Sequence, residues 1–110
     1  MTDAPYVPER GDFGILRSGS EWRSVLVLSP KAYNAKVGLA LCCPIVAETK
    51  GYPFEVVLTG PESPTRWVAL ADRVASMDWK GRKLQYGGVM PEPFVAEALG
   101  KLKTLLRETA

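Results

Sequence analysis

Leu39-Ala40-Leu41-Cys42-Cys43-Pro44-Ile45-Val46-Ala47-Glu48-Thr49-Lys50-Gly51-Tyr52-Pro53-Phe54-Glu55-Val56-Val57-Leu58 is the stretch whose reading decides the fold. Two apolar runs, residues 39–46 and 54–58, flank a polar connection with a Gly51-Tyr52-Pro53 corner. Runs of this length, rich in Val, Leu and Ile and bounded by turn residues, predict strands buried on both faces. Pro53 fixes its own φ and keeps Tyr52 extended, so the second strand starts at a defined angle. Cys42 and Cys43 are adjacent, and neighbours on a strand point to opposite faces. They cannot bridge each other and read as two buried thiols.

Outward from this centre the same alternation of strand and turn recurs. Residues 1–11, with Pro5 and Pro8, form an extended lead-in. Residues 12–16 and 22–29 read as strands joined by the turn Arg17-Ser18-Gly19-Ser20-Glu21. Ser29-Pro30 ends the second, and residues 31–38 are a polar connection with a single helical turn. After the central pair, Gly60-Pro61-Glu62-Ser63-Pro64 is a dense turn signal. Residues 66–74 read as a strand, 76–82 as a short helical turn and 83–89 as an edge strand. The period changes at the end: Val95, Ala98, Leu99, Leu102, Leu105 and Leu106 recur at three and four, one stripe of an amphipathic helix. Pro91 or Pro93 suits its first turn, and Lys101, Lys103 and Arg107 suit its last. Short strands followed by one helix predict a mainly β fold, a single antiparallel barrel with a C-terminal α-helix.

Composition narrows the function classes. The 110 residues make one domain, residues 1–110, with ordinary hydrophobic (46%) and charged (24%) fractions. No apolar run approaches the ~20 residues of a membrane helix, and Met1 to Arg10 lacks the basic-then-apolar pattern of an export signal. The reading is therefore a cytoplasmic protein with no membrane association. With no histidine in the chain, Ser-His-Asp and Cys-His chemistry is ruled out, as is an imidazole-based metal site. No metal and no cofactor is expected. A net charge of +2 does not by itself announce nucleic acid, so any basic face must be gathered locally.

The wording of several segments carries more. Lys50-Gly51-Tyr52-Pro53-Phe54-Glu55-Val56 resembles the KGYPFEV segment of the MazF/PemK toxin family. Tyr6-Val7-Pro8, with Gly11-Asp12, resembles that family's opening YVP..GD. Leu28-Ser29-Pro30 with Tyr33-Asn34 resembles its LSP..YN segment. Leu70-Ala71-Asp72-Arg73-Val74 with Ser76 and Trp79 resembles its LADQV.S..W run. The resemblance implies a small SH3-like barrel of the CcdB/PemK type and a homodimer. It implies metal-independent cleavage of single-stranded RNA, and inhibition by a cognate antitoxin. The topoisomerase poisons of CcdB type share the barrel but not the KGYPFEV wording.

Such cleavage proceeds by attack of a ribose 2′-hydroxyl on the adjacent phosphate. It needs a base, a donor for the charged phosphorus centre and an acid for the leaving oxygen. Arg23, just before the apolar run Val25 to Leu28, matches the family's active-site arginine, and its planar fork suits two phosphate oxygens. Glu21 resembles the glutamate of the family's first loop and would act as base or orient Arg23. Asp72 matches an active-site aspartate of the PemK/Kid branch, although Leu70 replaces the arginine that accompanies it there. Two departures stand out: the first loop is shortened to a tight turn, and Val46 occupies the catalytic threonine's position with no hydroxyl to offer. Thr49 would have to substitute from ~10 Å away on an extended chain. The expected RNA contacts are Lys31, Lys36, Lys50, Thr49, Arg73, Lys80, Arg82 and Lys83, with Tyr52, Tyr33, Trp22 and Trp79 as stacking rings. The alternative reading is an impaired relative that binds RNA or an antitoxin without cutting.

Overall fold

In the computed structural model, which describes residues 6–47, 50–60 and 62–107, strand β3 (Ala40–Val46) is the hub. One edge pairs with β2 (Glu21–Val27), with Val25, Leu26 and Val27 opposite Pro44, Cys43 and Cys42. The other edge is shared. Its first half takes β6 (Ala75–Met77), and Ile45 and Val46 take β5 (Val68–Leu70). Cys43 and Pro44 lie between these two ladders, a position that suits a proline with no N–H to offer. β4 (Glu55–Val57) pairs with β5, and β1 (Asp12–Ser18) joins β2 to β7 (Gln85–Val89). All the pairings are antiparallel. The sheet of seven strands runs β4-β5-β3-β2-β1-β7, with β6 on β3, as an open path rather than a closed ring. The expected class, mainly β with a C-terminal helix, is what the chain adopts.

Cys42 and Cys43 divide the interior as the alternation predicted. Cys42 packs with Leu16, Val25, Val27 and Ala40. Cys43 packs with Leu26, Leu28, Val56 and Ala69 beneath helix α2 (Glu92–Leu106), which contributes Ala98 and, at the margin, Phe94, Leu99 and Leu102. Burial pushes both thiols up to about 12. β3 is not buried on both faces throughout, since Leu41 is 37% exposed and Ile45 and Val46 are half-buried.

Several local readings are revised. Residues 31–38 hold a two-turn helix, α1 (Lys31–Val37), closed by Gly38 at φ 80°. Residues 66–74 split into the short β5 and a 3-10 turn, Ala71–Arg73, because the chain must bend to reach β6. The helical turn expected over residues 76–82 is confined to 78–82, where the Arg82 amide donates to the Asp78 carbonyl at 2.9 Å, and residues 75–77 are a strand paired with Ala40, Leu41 and Cys42. Tertiary pairing overrides a weak local preference there.

Much of the family wording turns out to be scaffold. The Asn34 amide, fully buried, donates to the carbonyl oxygens of Pro8 (2.8 Å) and Ser29 (3.0 Å) and accepts from the Ser29 hydroxyl. Ser29 Oγ also accepts from the Leu41 amide at 2.8 Å. Tyr6 donates its hydroxyl proton to Asp12 at 2.6 Å, and Trp79 donates its indole N–H to the Asn34 carbonyl at 3.2 Å. One glycine is dictated by close approach: a Cβ on Gly14 would lie 2.1 Å from the Gln85 carbonyl oxygen of β7.

Candidate active site

The β1–β2 hairpin closes with Ser18 opposite Glu21, leaving Gly19 and Ser20 as the whole loop. Gly19 takes φ 64°, and a glycine at the first of two loop positions lets the turn follow the strands' twist. The turn delivers Glu21 and Arg23 to solvent one after the other on the same side of β2. The Arg23 guanidinium lies 3.9 Å from the Glu21 carboxylate, and the two side chains are 62% and 72% exposed. At that exposure the pair contributes ~1 kcal/mol or less to stability. Its charges are therefore available to a ligand.

The Lys50-Gly51-Tyr52-Pro53 corner is built differently. The Glu55 carboxylate is buried and accepts the backbone N–H groups of Lys50 (2.8 Å) and Gly51 (3.1 Å). Gly51 sits at φ 76°, which glycine tolerates without strain. The Glu55 amide in turn donates to the Tyr52 carbonyl at 3.2 Å. The Tyr52 hydroxyl donates to Asp72 Oδ1 at 2.9 Å, tying the corner to the 3-10 turn. Partial burial, and then the bond to the Asp72 carboxylate, raise the phenol's pKa above its ordinary value and keep it a donor. Between the corner and the sheet lies a cleft of ≈ 160 Å³ lined by Val46, Lys50, Tyr52, Glu55, Leu70 and Arg73.

Val46 joins the two regions. Extending the β2–β3 register by two residues from Val25 opposite Pro44 sets Arg23 opposite Val46 on the same face. Val46 thus stands at the cleft's border with Arg23 as its neighbour on the adjoining strand. A threonine there would add a hydroxyl to this border; the valine adds only methyl groups. Among the described residues no ion pair links Arg23 to Asp72.

The other expected contacts scatter. Lys50, Tyr52 and Arg73 share the cleft just described. Arg82 and Lys83 line a separate shallow basic depression with Arg17, where Arg17 lies 5.6 Å from the Trp22 ring centre. Lys80 is exposed on the same 78–83 turn, and Lys31 and Lys36 are exposed on α1. Trp79 is half-buried, packed against the Cys42 cluster with its indole N–H bonded to the Asn34 carbonyl, which ties it to the scaffold. Trp22 and Tyr33 are 42% and 38% exposed. Thr49 lies outside the described residues. Glu55 had no role in the sequence reading. Its signal was a lone carboxylate inside the apolar run 54–58, which requires a buried partner set.

Comparison with known proteins adds an independent line. A family model described as PemK-like, MazF-like toxin of type II toxin-antitoxin system matches residues 10–106. An Escherichia coli K12 protein named endoribonuclease toxin MazF is 46% identical over 95 residues, covering 79% of this chain and 84% of its own. A MazE–MazF crystal structure from Deinococcus radiodurans superimposes with a TM-score of 0.85 at 40% identity, covering 96% of this chain and 100% of that one. A mycobacterial endoribonuclease bound to its cognate antitoxin, at 21% identity and a TM-score of 0.75, shares the fold.

Proposed function

Because this chain belongs to the PemK-like, MazF-like toxins of type II toxin-antitoxin systems, we propose that it is an endoribonuclease that cuts single-stranded RNA without a metal ion. The observation that carries the reading is the solvent-facing Arg23–Glu21 pair, which the extended β2–β3 register sets across from Val46 at the border of the Tyr52 cleft. The ribose 2′-oxygen attacks the adjacent phosphorus, forming one O–P bond as the bond to the 5′-oxygen breaks. Glu21 takes the 2′-hydroxyl proton and water returns one to the departing 5′-oxygen. Arg23 holds two non-bridging oxygens as negative charge builds on them, and the product is a 2′,3′-cyclic phosphate. Asp72 is the weaker candidate for the base, since one of its oxygens already accepts from Tyr52. It positions Tyr52 along the cleft, where Lys50 and Arg73 meet the flanking phosphates.

The protein works in the cytoplasm on messenger RNA, as a homodimer restrained by a cognate antitoxin. The exposed apolar side chains Ile15, Trp22, Tyr86 and Val89 on β1, β2 and β7 support an interface with another chain. Binding without cutting is the less favoured reading: the curated relatives are named endoribonucleases, and Arg23 and Glu21 lie side by side and exposed.

The test is primer-extension mapping on a long unstructured RNA in the presence of EDTA. Cuts at defined sites ending in a cyclic phosphate, and lost with Arg23→Ala, are expected. Intact RNA at micromolar protein would overturn the proposal.

A further inference from the structure

Resting on the reading of the Tyr52–Asp72 cleft as part of the RNA site, we propose that Lys101 of helix α2 is a positioning residue that acts through Glu55 to hold the Lys50-Gly51-Tyr52 corner in place. The sequence offers Lys101 only as a cation in the second half of a helix, where it would complement the helix dipole from solvent. The structure gives it another task. Its ammonium donates to the Glu55 carbonyl oxygen at 2.8 Å and lies 3.0 Å from Glu97 Oε2. Among the described residues β4 ends the path of the sheet, so one of its edges faces no further strand. Lys101 donates to Glu55 on β4, and Glu97, one helical turn earlier, holds the ammonium in register.

Glu55 is thereby held through both its backbone and its side chain. Its carbonyl is anchored to α2, and its carboxylate receives the Lys50 and Gly51 amides. Two further bonds carry the restraint forward: the Ala71 amide donates to the Phe54 carbonyl at 3.0 Å, and Tyr52 donates to Asp72 at 2.9 Å. A continuous chain of hydrogen bonds thus runs from the C-terminal helix to the residues lining the cleft. α2 itself is immobilised by Val95 and Ala98 in the core, so Lys101 reaches from a rigid platform. Loosening the first bond frees Glu55 to shift, and a shift of an ångström at a positioned phosphate contact costs rate rather than binding.

The test compares wild type with Lys101→Met, which keeps the apolar stem and removes the ammonium, and Lys101→Arg, which restores a cation. Amide hydrogen exchange is read at Lys50 and Gly51, with Leu26 and Cys43 as core references. Lys101→Met should speed exchange at Lys50 and Gly51 about tenfold, leave Leu26 and Cys43 unchanged, and lower kcat about tenfold with KM within about twofold. Lys101→Arg should return most of both. Unchanged exchange at Lys50 and Gly51, an equal rise at the core amides, or a KM effect with kcat intact would each overturn the proposal. If the wild type leaves RNA uncut, the nuclease reading fails, and the exchange result alone still decides the tether.

Discussion

The hairpin tip and the KGYPFE corner each hold a carboxylate, and they use it in opposite ways. Glu21 is exposed beside Arg23, 3.9 Å away, with water free to screen both charges. Glu55 is buried and receives the backbone N–H groups of Lys50 and Gly51. Removing the first charge changes what the surface does to a ligand. Removing the second takes away the buried acceptor that holds the corner's backbone, and the fold bears the cost. On the proposed reading, function and stability are divided between two glutamates 34 positions apart in the chain.

Substitutions should separate the two sharply. Arg23→Ala should lower RNA cutting by ~10³-fold while moving the unfolding free energy by less than ~0.5 kcal/mol, read by initial rates and urea titration. A large loss of stability would break the contrast. Glu55→Ala should do the reverse first, costing ~2–4 kcal/mol in urea unfolding because the Lys50 and Gly51 amides lose their acceptor. Val46→Thr restores a hydroxyl beside Arg23 and should raise the cutting rate by ~10-fold or more. No gain would mean that this border does not face the reacting phosphate.

Two smaller effects sharpen the same division. Glu21→Gln should leave urea stability within ~0.5 kcal/mol, since an exposed pair contributes little. It should nevertheless flatten the acid limb of the rate–pH profile if Glu21 is the base. The buried thiols give a pH test of the scaffold alone. Their pKa is raised from 9.0 to about 12 by burial, so the folded state holds these protons more tightly than the unfolded chain does. Stability should be full below pH 9, decline as pH rises from 9 toward about 12, and lose part of that slope in Cys42→Ala/Cys43→Ala. At pH 8 a thiol reagent should label the native protein only as fast as it unfolds.

Local pattern determined much of this protein. The two apolar runs became β3 and β4, the turn read over residues 17–21 tightened to the two-residue loop Gly19-Ser20, and the three-and-four stripe became α2. Adjacent cysteines went to opposite faces. These features follow from side-chain period and turn chemistry, which act over a few residues. What only the tertiary structure decided was non-local. Residues 75–77 became a strand because β3 had an edge to offer, and Trp79 was drawn against the Cys42 cluster and bonded to Asn34. Tyr52 met Asp72 across twenty residues, and Lys101 met Glu55 across forty-six. Charged and aromatic side chains carry no periodic signal for such partners. Their place is set by which buried or edge groups remain unpaired once the strands have assembled, and only the assembled sheet shows those.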